Sequence, residues 1–440
     1  MERDSTSVRR AERPDRALRW ALSIAVAGVL ARLALVWALD LAPYVERFEY
    51  DEVARNLVEG RGLGMVIHGA WYRSFGNAPY VLISAATLAV STWPEAALLG
   101  LQALFIIPTT LGAFLLARRI CGDAAGLLAA SGTAFHPGLL YFDTHKLHPL
   151  GFDAMLAVGG LQLAAGLWPG GAAPCTSDAS GGRRVRILLS GLVHGIAILQ
   201  RPTFLLLLPV SLFFLRARRA GRPTVLLYLL FAVLPAGFWL ARSLAVYGEP
   251  VFNPEAEEFL WRGNNPVASG TNFARGPELV PVFEAAPEEF RREVLGTDET
   301  GQRSAFRREA LRFLRERTLD AAALYLRKLA AFLWFSEHAG GWYPPALVSV
   351  YKAGYAVLAL AACGGLLSLR RRPPEARRLG RALVLFFLSV AALQAVFYVE
   401  TRHRWAVEPL LVVLAAGALA ESGTHRHRPS EKRGLDIEGH

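Results

Sequence analysis

Apolar runs of membrane-spanning length alternate along this chain with short arginine clusters, and that alternation limits the fold more than any single motif. The first run, residues 18–41, exceeds the roughly 20 residues a bilayer crossing needs. Hydrophobic residues make up 53% of the chain and charged ones only 19%, a balance that indicates an integral membrane protein. The net charge of +11 is gathered between the apolar runs, so it reads as topology and excludes a nucleic-acid footprint. Only four of the 48 basic residues are lysines (Lys146, Lys328, Lys352, Lys432), so an arginine is not informative merely for being one.

If the chain crosses about ten times, the basic clusters at the N-terminus, 118–119, 183–186, 216–222, 370–378 and 425–433 all fall inside. Residues 42–79, 143–149, 200–202, 243–343 and 399–403 then lie outside. The short run 80–90 after Pro79 must be a half-depth helix, since a full crossing there would place Arg118 and Arg119 outside. The predicted fold class is an all-α polytopic membrane protein of about ten transmembrane helices, with juxtamembrane helices and a small, mainly helical outer-face region. Its parts are a cytoplasmic tail (1–17), an N-terminal transmembrane catalytic module (18–242) with its first outer loop at 42–79, and an outer-face region (243–343). C-terminal transmembrane helices (344–421) and a second cytoplasmic tail (422–440) follow. The first span is read as a retained helix, not a cleaved signal. Cys121, Cys175 and Cys363 suggest no disulfide framework. Loops and arginine content point to a bacterial plasma (inner) membrane, with the site on the periplasmic or extracellular face.

Residues 46–64 carry the densest chemistry: Glu46, Glu49, Asp51, Glu52 and Glu59 ahead of a glycine-rich turn. At helical period Glu46, Tyr50, Val53, Ala54 and Leu57 share a face, with Glu49 on its flank and Gly60 as C-cap. An acid among apolar neighbours is a candidate base; an interfacial helix with solvated acids fits the spacing as well. Arg32, inside the first span, either snorkels to the interface or takes a polar partner, expected in this acidic loop. The other outer segments add Asp143, His145, Lys146, His148, Arg201, Arg242, Arg402, His403 and Arg404. A carboxylate flanked by fixed cations suits deprotonation of an acceptor while a phosphate leaving group is held. Asp143, His145 and His148 lack a clear fourth ligand, so no metal site is assigned, though a divalent cation stays possible. Asn264-Asn265-Pro266 reads first as a turn.

The pattern Glu46-x-x-x-Tyr50-x-x-Val53-Ala54-x-Asn56-Leu57-x-x-Gly60-x-Gly62 resembles the first outer loop of polytopic GT-C glycosyltransferases. These are the glycosyltransferase family 39 or protein O-mannosyltransferase-like enzymes, related to the aminoarabinose transferases that modify lipid A. Further likenesses follow in order over 18–420: Pro79-Tyr80, Arg118-Arg119-x-x-Gly122, Arg201-Pro202, Arg242 with Tyr247-Gly248-x-Pro250, and Gly263-Asn264-Asn265-Pro266. Lys328 and Arg402-x-Arg404-x-x-x-Glu408-Pro409 complete the series. The resemblance implies an inverting transferase moving a sugar from a polyprenyl-phosphate donor to a lipid, glycan or protein acceptor. Glu46 or Glu49 would be the base. Where relatives carry an acid before the proline of the second outer loop, this chain has His148 before Pro149, so Asp143 is a substitute candidate. Tyr50, Lys146, His148, Arg201, Arg242, Asn264, Asn265, Arg402 and Arg404 are the candidate substrate contacts. A flippase or transporter for a lipid-linked substrate, and a non-catalytic envelope-assembly protein of the same fold, are the alternatives. Spans poor in charge and polar groups gathered at one face speak against the first of these.

Overall fold

The computed structural model describes residues 15–167, 180–217, 219–341 and 343–425. The N-terminal and C-terminal tails and most of the 169–186 loop, with Cys175, lie outside them. Asp15 accepts from the Leu18 amide and so opens the first apolar helix, α1 (Arg16–Ala38). The first outer loop holds a two-residue strand β1 (Glu46–Arg47), helix α2 (Glu49–Val58) and a hairpin, β2 (Met65–Ile67) with β3 (Ala70–Tyr72). Then come α3 (Ala78–Val90), α4 (Pro94–Leu104), α5 (Ile106–Cys121), α6 (Asp123–Ala134), α7 (Pro137–His145), β4 (Lys146–Leu147) and α8 (Leu150–Gly166). Helices α9 (Ser180–Gln200), α10 (Leu207–Ala217) and α11 (Arg222–Tyr247) lead to the polar region expected outside, built from α12 (Ala256–Arg262), α13 (Glu288–Leu295), α14 (Glu299–Glu316) and α15 (Thr318–Leu333). The chain ends with α16 (Pro345–Ser368), α17 (Pro374–Gln394), the short α18 (Thr401–Trp405) and α19 (Pro409–His425).

Among the described residues, four stretches are long and apolar enough to cross a membrane: α1, α4 with α5 (Pro94–Cys121), α11, and α16 with its last turn (Pro345–Arg371). Helices α3, α8, the 202–217 arm and α19 are apolar but shorter. Helix length alone therefore supports four crossings, fewer than the ten that the arginine clusters suggest. Proline explains one break: Pro137 has no N–H to continue α6, and the chain restarts as α7, with His136 Nδ1 accepting from the Leu139 amide. Some of the arginines expected inside find local partners or share a cavity. Arg118 pairs with Asp15 and Asp123, while Arg186 and Arg219 line one cavity of about 250 Å³.

Small residues let α9 approach α11. A Cβ at Gly191 would lie 2.6 Å from the Tyr228 carbonyl oxygen, and one at Gly195 2.5 Å from that of Ala232. This four-residue spacing suits close packing in a lipid environment, where backbone contact and dispersion replace the hydrophobic effect.

The first outer loop departs from the expected helix. Glu46 and Arg47 form a strand paired in parallel with Lys146 and Leu147, so the helix begins only at Glu49. Its end is as expected: the Gly60 amide donates to Leu57 O and the Arg61 amide to Asn56 O, with Gly60 at positive φ. The loop is bound to the outer region. His68, at the hairpin tip, packs tilted against Phe283 with ring centres 4.1 Å apart and lies 3.1 Å from Glu258, and Arg73 pairs with Glu299 at 3.0 Å. Rings of Trp261, Phe283, Phe290 and Phe306 make the core beneath. Lys328 ties this region to the end of α17, donating to Gly263 O, Asn264 Oδ1 and Val396 O.

Candidate active site

The loop between α7 and α8 is held from below by a buried amide. Gln102 Oε1 accepts from the His148 amide at 2.9 Å and from the Tyr80 hydroxyl at 2.6 Å, while its Nε2 donates to Lys146 O. His148 is thereby set edge-on to Phe48, Tyr50 and Phe142. Its Nδ1 accepts from the Leu150 amide, which puts the ring proton of the neutral imidazole on Nε2, free of any hydrogen-bond partner among the described residues. His403 repeats the device, its Nδ1 accepting from the Glu400 amide.

Two arginines complete this wall. Arg201 is fixed by Asp153 at 2.8 Å, and Gln200 holds the other oxygen of that carboxylate. Arg402 pairs with Glu400 at 2.9 Å and lies over the Phe48 ring. Burial, with the charges of Arg402, Arg201 and Lys146, holds the His148 imidazole well below its usual range. Burial with Arg201, Arg402 and His148 does the same to His403. The wall therefore presents two guanidinium groups and two neutral N–H donors, a set suited to an anion with several oxygens.

Glu49, the first residue of α2, is half-buried next to Tyr50. Its charge acts on Tyr50, Tyr398, Arg402 and Glu255. Glu46 stands apart, exposed and paired with Lys146. Glu255 and Glu258, one turn apart and both buried, are driven in opposite directions. Burial, then Glu49 and Glu258, pushes the Glu255 carboxyl up to about 8. Burial also opposes charge on Glu258, but Arg262 and His68 outweigh it and hold that carboxyl at about 2.

The structure thus brings Glu49, Tyr50, His148, Arg201 and Arg402 together, with Lys146 beside them over Phe48 and Phe142, and puts Asp143, Arg242, Asn264, Asn265 and Arg404 elsewhere. Asp143 is buried against Arg32 at 2.8 Å, so Arg32 finds its partner in α7 and not in the acidic first loop. That position does not suit a catalytic acid. Arg404 is fully buried, donating to Phe332 O and Trp334 O and lying 3.4 Å from Glu408, which does not suit a substrate contact. Asn264 and Asn265 are buried and bind the carbonyls of Leu260, Val396 and Trp261, which makes them turn residues. Arg242 donates to Ser74 Oγ and stacks over Trp239. His145 stacks on Tyr141, and no three His, Cys, Asp or Glu side chains are gathered for a metal among the described residues. Glu255, Arg262 and Tyr398 were not foreseen, and no spacing in the sequence singles them out.

Glu255 gives a test of this electrostatic arrangement. A carboxyl whose folded value is raised to about 8, from an ordinary 4.5, binds its proton more tightly in the folded chain. The stability linked to that proton is full below the unfolded value and is lost as pH rises through about 8. Glu255→Gln keeps the neutral form at all pH, so it should change little near pH 5 and stabilise by on the order of a few kcal/mol near pH 9. Thermal unfolding across that range measures it; a pH-independent difference between the two proteins would contradict the arrangement.

No protein-family model and no curated protein matches the chain. Solved structures do. The oligosaccharyltransferase of Archaeoglobus fulgidus, tethered to an acceptor peptide containing the NVT sequon, superposes with a TM-score of 0.52 at 13% identity, over 93% of this chain and 50% of that one. Its apo form gives 0.51 at 15% identity, over 93% and 51%. ArnT from Cupriavidus metallidurans bound to undecaprenyl phosphate is matched more loosely, with a TM-score of 0.35 at 15% identity over 91% and 79%. The chain spans about half the length of the archaeal enzyme. The two superpositions with the archaeal enzyme show a shared overall fold, that of a polytopic helical protein.

Proposed function

We propose that this protein is a membrane glycosyltransferase that moves a sugar from a polyprenyl-phosphate donor to a hydroxyl-bearing acceptor. The convergence of Glu49 with Arg201, Arg402, His148 and His403 at one end of the bundle carries the reading. Glu49 takes the proton of the acceptor hydroxyl as its oxygen attacks the anomeric carbon. The bond from that carbon to the phosphate oxygen breaks, inverting the centre, and its electron pair leaves on the polyprenyl phosphate. Arg201 and Arg402 take up the developing charge, with the Nε2–H groups of His148 and His403 as further donors. Both imidazoles are held neutral, so they donate hydrogen bonds without adding charge to the wall. The polyprenyl tail lies among the apolar helices, where it costs little to place. The end opposite the Arg118 and Arg186 clusters is the outer face of the plasma membrane.

Transfer from a panel of polyprenyl-phosphate sugars in proteoliposomes tests the activity, and donor binding tests the site. Arg402→Gln should weaken polyprenyl-phosphate binding about tenfold or more, the worth of a charged hydrogen bond. Unchanged binding in a folded variant would remove the phosphate assignment.

A further inference from the structure

Helix α2 has a second side. Away from the cationic wall, an open groove of about 490 Å³ runs along it, within the size range of small-ligand sites. Glu49 lines this groove, and its charge also acts on Arg402. The groove is polar and nearly balanced in sign: Arg47, Arg55 and Arg61 alternate with Glu49, Asp51, Glu52 and Glu59. One buried atom there has no partner. Asp51 is only 4% exposed, and its Oδ2 accepts from Arg55 at 2.9 Å, yet its Oδ1 accepts from nothing. A buried carboxylate oxygen without a donor is costly, and a ligand hydroxyl would satisfy it. Phe48, whose ring also carries Arg402 and Lys146, borders the groove beside Glu49.

Resting on the transferase reading above, we infer that this groove is the acceptor subsite and that the acceptor is a neutral saccharide. Three guanidinium groups and four carboxylates offer donors and acceptors side by side, which vicinal hydroxyls match because each both donates and accepts. An anionic acceptor would meet one more carboxylate than cation. An apolar lipid or peptide segment would desolvate these charges with nothing to replace their water. A saccharide in the groove would present a hydroxyl toward Glu49, the lining residue whose charge also acts on Arg402. A free glycan and the glycan head of a lipid carry the same chemistry.

The test uses the full-length protein in nanodiscs, with saturation-transfer NMR of neutral trisaccharides (mannotriose, maltotriose, chitotriose), an acidic trigalacturonate and polyprenyl phosphate. Free trisaccharide is compared with the same sugar carried on a polyprenyl diphosphate, which separates the two acceptor sources. The variant Glu52→Gln/Arg61→Gln alters two exposed groove residues outside the cationic wall. At least one neutral trisaccharide should bind, and the double variant should weaken it about tenfold while polyprenyl-phosphate affinity stays unchanged. Binding of trigalacturonate alone, equal saccharide binding in wild type and variant, or no saccharide binding in either form would overturn the assignment. Failure of the transferase reading would show differently: Arg402→Gln would leave polyprenyl-phosphate binding intact while the saccharide still required Glu52 and Arg61.

Discussion

Glu49→Gln should lower sugar transfer by about 10²–10⁴-fold, the range general-base catalysis supplies, with the protein folded and donor binding retained. Glu46→Gln should cost far less. The two acids are three residues apart, and their surroundings separate them. Glu46 belongs to a strand, is 56% exposed at its side chain, and is neutralised by Lys146. Glu49 is only partly exposed, and its charge acts on Arg402, the cation that would hold the leaving phosphate. The glutamine keeps the volume and hydrogen bonding of Glu49 but cannot take a proton. Transfer rates, with affinity for polyprenyl phosphate as the control, distinguish loss of chemistry from loss of the site. Full activity in Glu49→Gln alongside loss in Glu46→Gln would reverse the assignment.

What the sequence revealed follows from what one-dimensional patterns can carry. The apolar runs became helices, and the short run at 80–90 became a 13-residue helix too short to cross unaided. The fold is shared with the archaeal enzyme at only 13–15% identity. Side-chain direction was beyond reach. Arg402 and Arg404 both looked like substrate contacts, yet two residues on a helix are about 200° apart, so one faces the site and the other the interior. Glu46 was read onto the helix of Glu49 because its spacing allows it; the competing pull was backbone pairing with residues 100 positions away. Glu255 was invisible for the same reason, since its neighbours Glu49 and Gly76 come from a distant loop. Long-range pairing leaves no periodic trace.

The same limit hid the partner of Arg32, and it defines the second large effect. Arg32→Met should destabilise the protein by about 3–5 kcal/mol, the usual result of stranding one member of a buried ion pair. Arg32 is wholly buried: its Nε donates to Asp143 Oδ2 at 2.8 Å, and its Nη1 to Gly28 O and Ala134 O at 3.0 and 2.8 Å. Removing it leaves the Asp143 carboxylate, 2% exposed, with no cation. The pair is not ideal even when intact, because Arg32 Nη2 and Asp143 Oδ1 lack partners. Replacing both residues with apolar ones of similar volume, Arg32→Met with Asp143→Leu, should therefore recover most of the loss, since no charge remains to be desolvated. Thermal inactivation of the wild type and the single and double variants measures the cycle, and sugar transfer by the double variant separates structure from catalysis. If Asp143 only braces α1 against α7, the rescued protein keeps its transfer rate. A double variant as stable as wild type yet inactive would return Asp143 to the chemistry, against its position beneath the site.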